Sequence, residues 1–121
     1  MVSDFADSVG DTNPMHHDPE FAASTRYRRP IASGTHTSAL LLGLTASHFS
    51  KDSAGVGLEF CCQFRRPVYA DETITLEWLV VKVTPNHKLK GDIVEMIGRI
   101  KGEDGQTAMG ARSKVLISDQ L

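Results

Sequence analysis

The sequence predicts an α+β domain in which an antiparallel sheet wraps a single buried helix. Three observations carry this reading. Gly34 opens a segment, THTSALLLGLTASHF, that is apolar almost all round and contains no Asp or Glu. A helix without a polar face is covered on every side, and at this length it cannot cross a bilayer, so protein must do the covering. From residue 58 onward the pattern changes to stretches of alternating apolar and polar residues separated by turn signals, as half-buried strands require. Helices first and strands afterwards is the α+β order. A length of 121 residues suits one domain, 1–121, and is too short for two.

The elements follow in order. Ser3 is placed to cap a short helix over Asp4 to Ser8, with Phe5 and Val9 on one side. The next stretch, Gly10 to His17, reads as a bent loop. Gly10 permits a positive φ, while Pro14 lacks an N–H and pushes Asn13 toward an extended conformation. Such a loop can bring the Asp11 carboxylate and the His16 imidazole to one place. Asp18-Pro19-Glu20 is a helix start, with a capping Asp, Pro at the first helical position and an acidic first turn; this helix is expected to run through Thr25. Tyr27 to Ser33, with Pro30 inside it, is irregular, and the apolar helix follows.

Leu58, Phe60, Cys62 and Phe64 alternate with polar residues in a first strand, and Ile74, Leu76, Trp78 and Val80 do so in a second. Leu79, Val81 and Val83 make the far end of the second strand apolar on both faces, which suggests a subunit contact. Ile93 to Ile100 forms a third strand, Glu103-Asp104-Gly105 a hairpin turn, and Met109 to Ile117 a fourth strand. Trp78 and the other strand aromatics belong to the core.

Composition excludes several functions. Hydrophobic residues make up 40%, charged residues 23%, and the net charge is −2, so no basic footprint for nucleic acid is present. Neither a membrane span nor a signal peptide is visible, and a cytoplasmic protein is expected. Cys61 and Cys62 are neighbours that point to opposite faces of a strand, which suits neither a disulfide nor a zinc site. The adjacent His16 and His17 invite a metal reading, yet neighbouring histidines in a loop rarely bind one ion without carboxylates at suitable geometry, and no metal is expected. His17 reads as a solvent-facing or loop residue, His36 as a packing residue, and His48 as a partner of the helix C-terminal dipole. Arg26, Arg28 and Arg29 read as a solvated face in preference to a clamp on coenzyme A phosphates.

The ordered set Gly10-Asp11-x-Asn13-Pro14-x-His16 resembles the signature of the MaoC-like (R)-specific enoyl-CoA hydratases, which have the hot dog fold. The likeness continues through Asp18-Pro19-x-Phe21-Ala22, Arg29-Pro30-Ile31, Gly34 and the central helix, then Phe64-Arg65-Arg66-Pro67-Val68 with Asp71-Glu72. Three features depart from the family pattern: Val9 replaces a Ser, Ser33 replaces a His, and the sequence begins right at the first helix where the family normally carries a strand ahead of it, so that either the true start lies upstream or this member lacks an edge strand. The resemblance implies reversible hydration of trans-2-enoyl thioesters, carried by coenzyme A or acyl carrier protein, without a cofactor, in a homodimer that joins sheets side by side.

That chemistry needs a base for water, an acid for Cα and a holder for the charge on the thioester oxygen. The resemblance implies Asp11 as the main base and His16 as its partner. The first N–H groups of the central helix have no internal partner and sit at its positive end, so Gly34 N–H can hold the oxyanion, a contact worth about 3–4 kcal/mol in comparable sites. Asn13, Ser33 and Thr35 complete the expected substrate-binding set, with Asn13 bracing the loop. Two other readings keep the fold. A hot dog thioesterase commonly carries its carboxylate on or near the central helix, which has none here; a non-catalytic acyl-thioester binder is the other.

Overall fold

The chain is described by a computed structural model covering residues 1–119. Helix α1 spans Val2–Ser8, a single 3-10 turn Pro14–His16, α2 Pro19–Ala23 and α3 Gly34–Phe49. Strands β1 Ala54–Phe64, β2 Thr75–Asn86, β3 Gly91–Lys101 and β4 Thr107–Ser118 follow. All are antiparallel neighbours in one sheet of order β1-β4-β3-β2. The sheet does not close, and β1 and β2 are its two edges.

Local chemistry sets the helix ends. Asp18 Oδ1 accepts from the N–H groups of Glu20 and Phe21 at 3.0 and 3.2 Å, and Pro19 opens α2. The helix stops at Ala23, before the expected Thr25. The Ser24 and Thr25 hydroxyls turn back to the carbonyls of Phe21 and Ala22 at 2.6 and 2.7 Å, the local bonding that competes with helix propagation. Helix α1 starts at Val2, and Met1 stands at its cap position without a side-chain bond. Ser3 therefore does not cap it; its hydroxyl instead meets His17 Nδ1 at 2.7 Å.

The core forms where α3 lies on the sheet. Leu41 is fully buried with Ile100, Met109 and Ala111, and Phe60, Cys62, Leu76 and Trp78 pack around them. All four strands thus converge on one helical residue. Trp78 Nε1 donates to the Leu41 carbonyl at 2.9 Å, tying β2 to the helix. The Trp78 ring occupies the space left by Gly98 on β3: a Cβ there would lie 2.4 Å from Cε3.

Two expectations need correction. Within the chain α3 is not covered on all sides: Thr37, Leu41 and Thr45 are buried, while Leu40, Leu42 and Leu44 are exposed. Four strands cover only one side of a helix. Phe64 is not a core aromatic either; at 58% exposure it stands at the end of edge strand β1. The far end of β2 is exposed, with Leu79 at 61% and Val81 and Val83 also open. A local irregularity accounts for Val83 in its doubly apolar pattern, and not for Leu79. Val80 pairs with Met96 and Lys82 with Glu95, so Val81 is the extra residue of a β-bulge and the alternation changes phase there.

Candidate active site

The loop from α1 to the 3-10 turn builds one wall of a cleft. Gly10 has φ +76°, which lets the chain leave α1 sharply. The Asp11 N–H then donates to Ala6 O at 2.8 Å. Asp11 Oδ1 accepts from the Asn13 N–H at 2.9 Å, and Asn13 Oδ1 accepts from the Met15 N–H at 3.0 Å, starting the turn that carries His16. These are the side-chain-to-backbone turns that Asp and Asn favour. Asn13 thus braces the loop.

His16 is 8% exposed and Asp11 29%, and His16 Nε2 lies 3.5 Å from Asp11 Oδ2. On its other side His16 Nδ1 meets the Ile31 carbonyl at 2.7 Å. A carbonyl only accepts, so Nδ1 carries the proton, and in the neutral ring Nε2 faces the carboxylate as a lone pair. Two proton acceptors aimed at one spot can both be satisfied by a single water that donates one proton to each.

The start of α3 forms the opposite wall. Ser33 is the cap residue; its Oγ accepts from the His36 N–H at 3.3 Å and from the Thr35 hydroxyl at 3.2 Å. The Ser33 carbonyl accepts from the N–H groups of His36 and Thr37, which leaves those of Gly34 and Thr35 ahead of the first helical bond. Asp11, His16, Ser33, Gly34 and Thr35 all line one cleft of about 630 Å³, whose floor is Ala39, Leu42, Phe60 and Cys62. Five of the six residues expected at the site are therefore brought together, and Asn13 stands behind them in the loop.

A second cleft, of about 350 Å³, shares His16, Gly34 and Phe64 with the first and is rimmed by Tyr27, Arg65 and Arg66. The Phe64 ring lies at the junction of the two, close enough that a Cβ on Gly34 would come within 2.9 Å of its Cζ. Phe64 and Arg65 have no local signal in the sequence that marks them as site residues; the end of β1 brings them to the helix tip. Arg29 is occupied elsewhere, with its guanidinium 3.9 Å from the Tyr69 ring centre and 3.9 Å from Asp71. His17 makes a loop contact, Nε2 meeting the Asp11 carbonyl at 2.7 Å. His36 packs, stacked on Phe5 at 4.4 Å between ring centres. Among the described residues no group of three or more His, Cys, Asp or Glu is placed to hold a metal ion.

Comparison with known proteins gives a consistent result. The chain is 33% identical over 115 residues to an (R)-specific enoyl-CoA hydratase of Aeromonas caviae, covering 94% of this chain and 81% of the relative. It is 29% identical to a 3-hydroxybutyryl-CoA dehydratase of Methylorubrum extorquens, over 72% of this chain and 55% of the relative. The solved structure of the (R)-hydratase from A. caviae superposes with a TM-score of 0.79 at 31% identity, covering 94% of this chain and 83% of that one. That of an (R)-hydratase from Pseudomonas aeruginosa superposes at 0.86 and 24%, covering 98% and 73%, and confirms the hot dog fold. The family profile of the MaoC like domain matches residues 1–99. The chain belongs to the MaoC-like family.

Proposed function

We propose that the protein adds water reversibly to trans-2-enoyl thioesters, giving (R)-3-hydroxyacyl thioesters, with Asp11 and His16 activating the water and the Gly34 N–H holding the thioester oxygen. The observation that carries this is the 3.5 Å approach of Asp11 Oδ2 to His16 Nε2 on the wall of the cleft that also contains Gly34. As the water oxygen bonds to Cβ, one of its protons passes to the pair. A proton from the pair reaches Cα, so the net change is the addition of one water. Between these events negative charge gathers on the thioester oxygen, where a fixed N–H at a helix start lowers the barrier. Asp11 acts as the main base and His16 as its partner. Asn13, Ser33 and Thr35 shape the loop and helix start on which substrate rests.

The apolar floor of the larger cleft suits an acyl chain, and Arg65 on the rim of the smaller one suits the phosphates of coenzyme A or of a carrier protein's phosphopantetheine arm, whereas its neighbour Arg66 is paired with Asp104 at 3.1 Å. The names of the relatives from A. caviae and M. extorquens support enoyl-CoA chemistry. Among the described residues no helix is long and apolar enough to cross a membrane; a cytoplasmic setting fits a coenzyme A substrate. The exposed α3 leucines and the open edge of β1, with Val56 and Leu58 exposed on it, support a homodimer formed by pairing that edge with a second copy.

The test is the loss of enoyl-thioester absorbance, measured beside the release of free thiol. Absorbance loss without thiol is expected. Asp11→Asn and His16→Gln should each lower the rate by about 10²–10⁴-fold, the usual worth of a positioned acid or base, with melting temperatures near that of the unaltered protein. Thiol release would mean a thioesterase, and neither signal would mean an acyl-thioester binder. Near-normal hydration by both variants would refute the site.

A further inference from the structure

A carboxylate on a glycine-led loop can grip water only if the loop is held still, and three bonds hold Asp11. Two are local: its N–H to Ala6 O at 2.8 Å and its Oδ1 from the Asn13 N–H at 2.9 Å. The third comes from His17, whose Nε2 meets the Asp11 carbonyl at 2.7 Å. The His17 ring is itself fixed, since Nδ1 lies 2.7 Å from Ser3 Oγ on α1. The carbonyl can only accept, so His17 Nε2 carries the proton, and in the neutral ring Nδ1 accepts from the Ser3 hydroxyl. The two neighbouring histidines therefore hold opposite tautomers. His16 turns a lone pair toward the Asp11 carboxylate, and His17 turns a proton toward the Asp11 carbonyl. Asp7 Oδ1, on an exposed side chain, lies 3.8 Å from the same His17 Nε2.

We propose that His17 is a positioning residue: it clamps the Asp11 backbone against α1, with Ser3 selecting the tautomer, so that the carboxylate stays aimed at His16. This rests on the reading of Asp11 as the base. It predicts a loss in kcat with little change in KM, because the substrate walls are untouched while the reacting geometry drifts. A displacement on the scale of 1 Å costs about 100-fold, so His17→Leu should lower kcat by about 10- to 100-fold.

Two conservative variants separate positioning from simple anchoring of α1. In His17→Gln the amide nitrogen stands the same number of bonds from the backbone as His17 Nε2, which restores the donor to Asp11 and drops the link to Ser3. In His17→Asn the side-chain oxygen replaces Nδ1, which keeps Ser3 and loses Asp11. Positioning requires that Gln recover most of the kcat lost in His17→Leu and that Asn recover little. The reverse order, or equal recovery by both, would overturn the proposal, and this comparison stands even if His17→Leu fails to fold. In an Asp11→Asn background His17→Leu should cause no further loss in the residual rate, since coupled residues do not add; a full second loss there would also count against positioning. The two ideas fail separately. An active Asp11→Asn variant removes the base, whereas an inactive Asp11→Asn beside a fully active His17→Leu removes only the clamp.

Discussion

His36 shows how much a single side chain near the helix start adds to the protein's response to pH. Its ring is buried, stacked within 8° of parallel on Phe5, and its Nδ1 has no hydrogen-bond partner among the described residues. Burial, with a smaller contribution from the terminal ammonium, holds its pKa below the ordinary histidine value. Above about pH 6.5 the unfolded imidazole is also neutral, and the group leaves stability unaffected. As the pH falls through that value the unfolded chain takes up a proton that the folded chain refuses, so stability declines. The decline levels off once the lowered native pKa is passed. Thermal melts between pH 7.5 and 5 should therefore show a steeper fall for the unaltered protein than for His36→Gln, which has no such proton to gain. At this scale the sequence was legible where spacing carried the chemistry. Asp11, Asn13 and His16 lie around one proline-bent turn, and local geometry alone brings two of them together. It was illegible where the partner is distant: Phe64 reaches Gly34, and Ser3 reaches His17, only because strands and helices carry them there.

Among the elements, α3 and β2 are joined by one contact set that any substitution must respect. The Trp78 ring fills the hollow over Gly98 while its N–H reaches the Leu41 carbonyl. Gly98→Ala would force the ring to move, since its added Cβ would stand 2.4 Å from a ring carbon, and overpacking of this kind costs about 1–3 kcal/mol. Chemical denaturation should show that loss, and Trp78→Leu should relieve the clash so that adding Gly98→Ala to it costs much less. All four strands and the central helix follow from their patterns. The element ends do not, because hydroxyls at Ser24 and Thr25 and the bulge at Val81 override the simple period. The bulge is the instructive case. A stretch apolar on both faces reads as a subunit contact; the bulge within it carries Val83 to the face of Val80, while Leu79 stays exposed on the other face beside Ile97.

For the molecule as a whole, the all-round apolar character of α3 stated that the helix needs cover without saying whose. One chain supplies cover for the Leu41 side and leaves Leu40, Leu42 and Leu44 open, and the proposed second copy would supply the rest. Sedimentation should then give twice the 13.2 kDa chain mass. A Val56→Asp, Leu58→Glu variant on the edge strand should sediment as a single chain and lose hydration activity along with pairing; an unchanged doubled mass would refute that edge as the interface. The junction of α3 with β2 has one more consequence. The sequence contains a single tryptophan, and it sits at this seam, its indole tied to the helix and laid against the sheet. Its fluorescence is thus a built-in gauge of whether the two layers remain seated. Heat, denaturant or separation of chains that lifts the helix off will redden that emission, with no dye attached and no second indole to blur the signal.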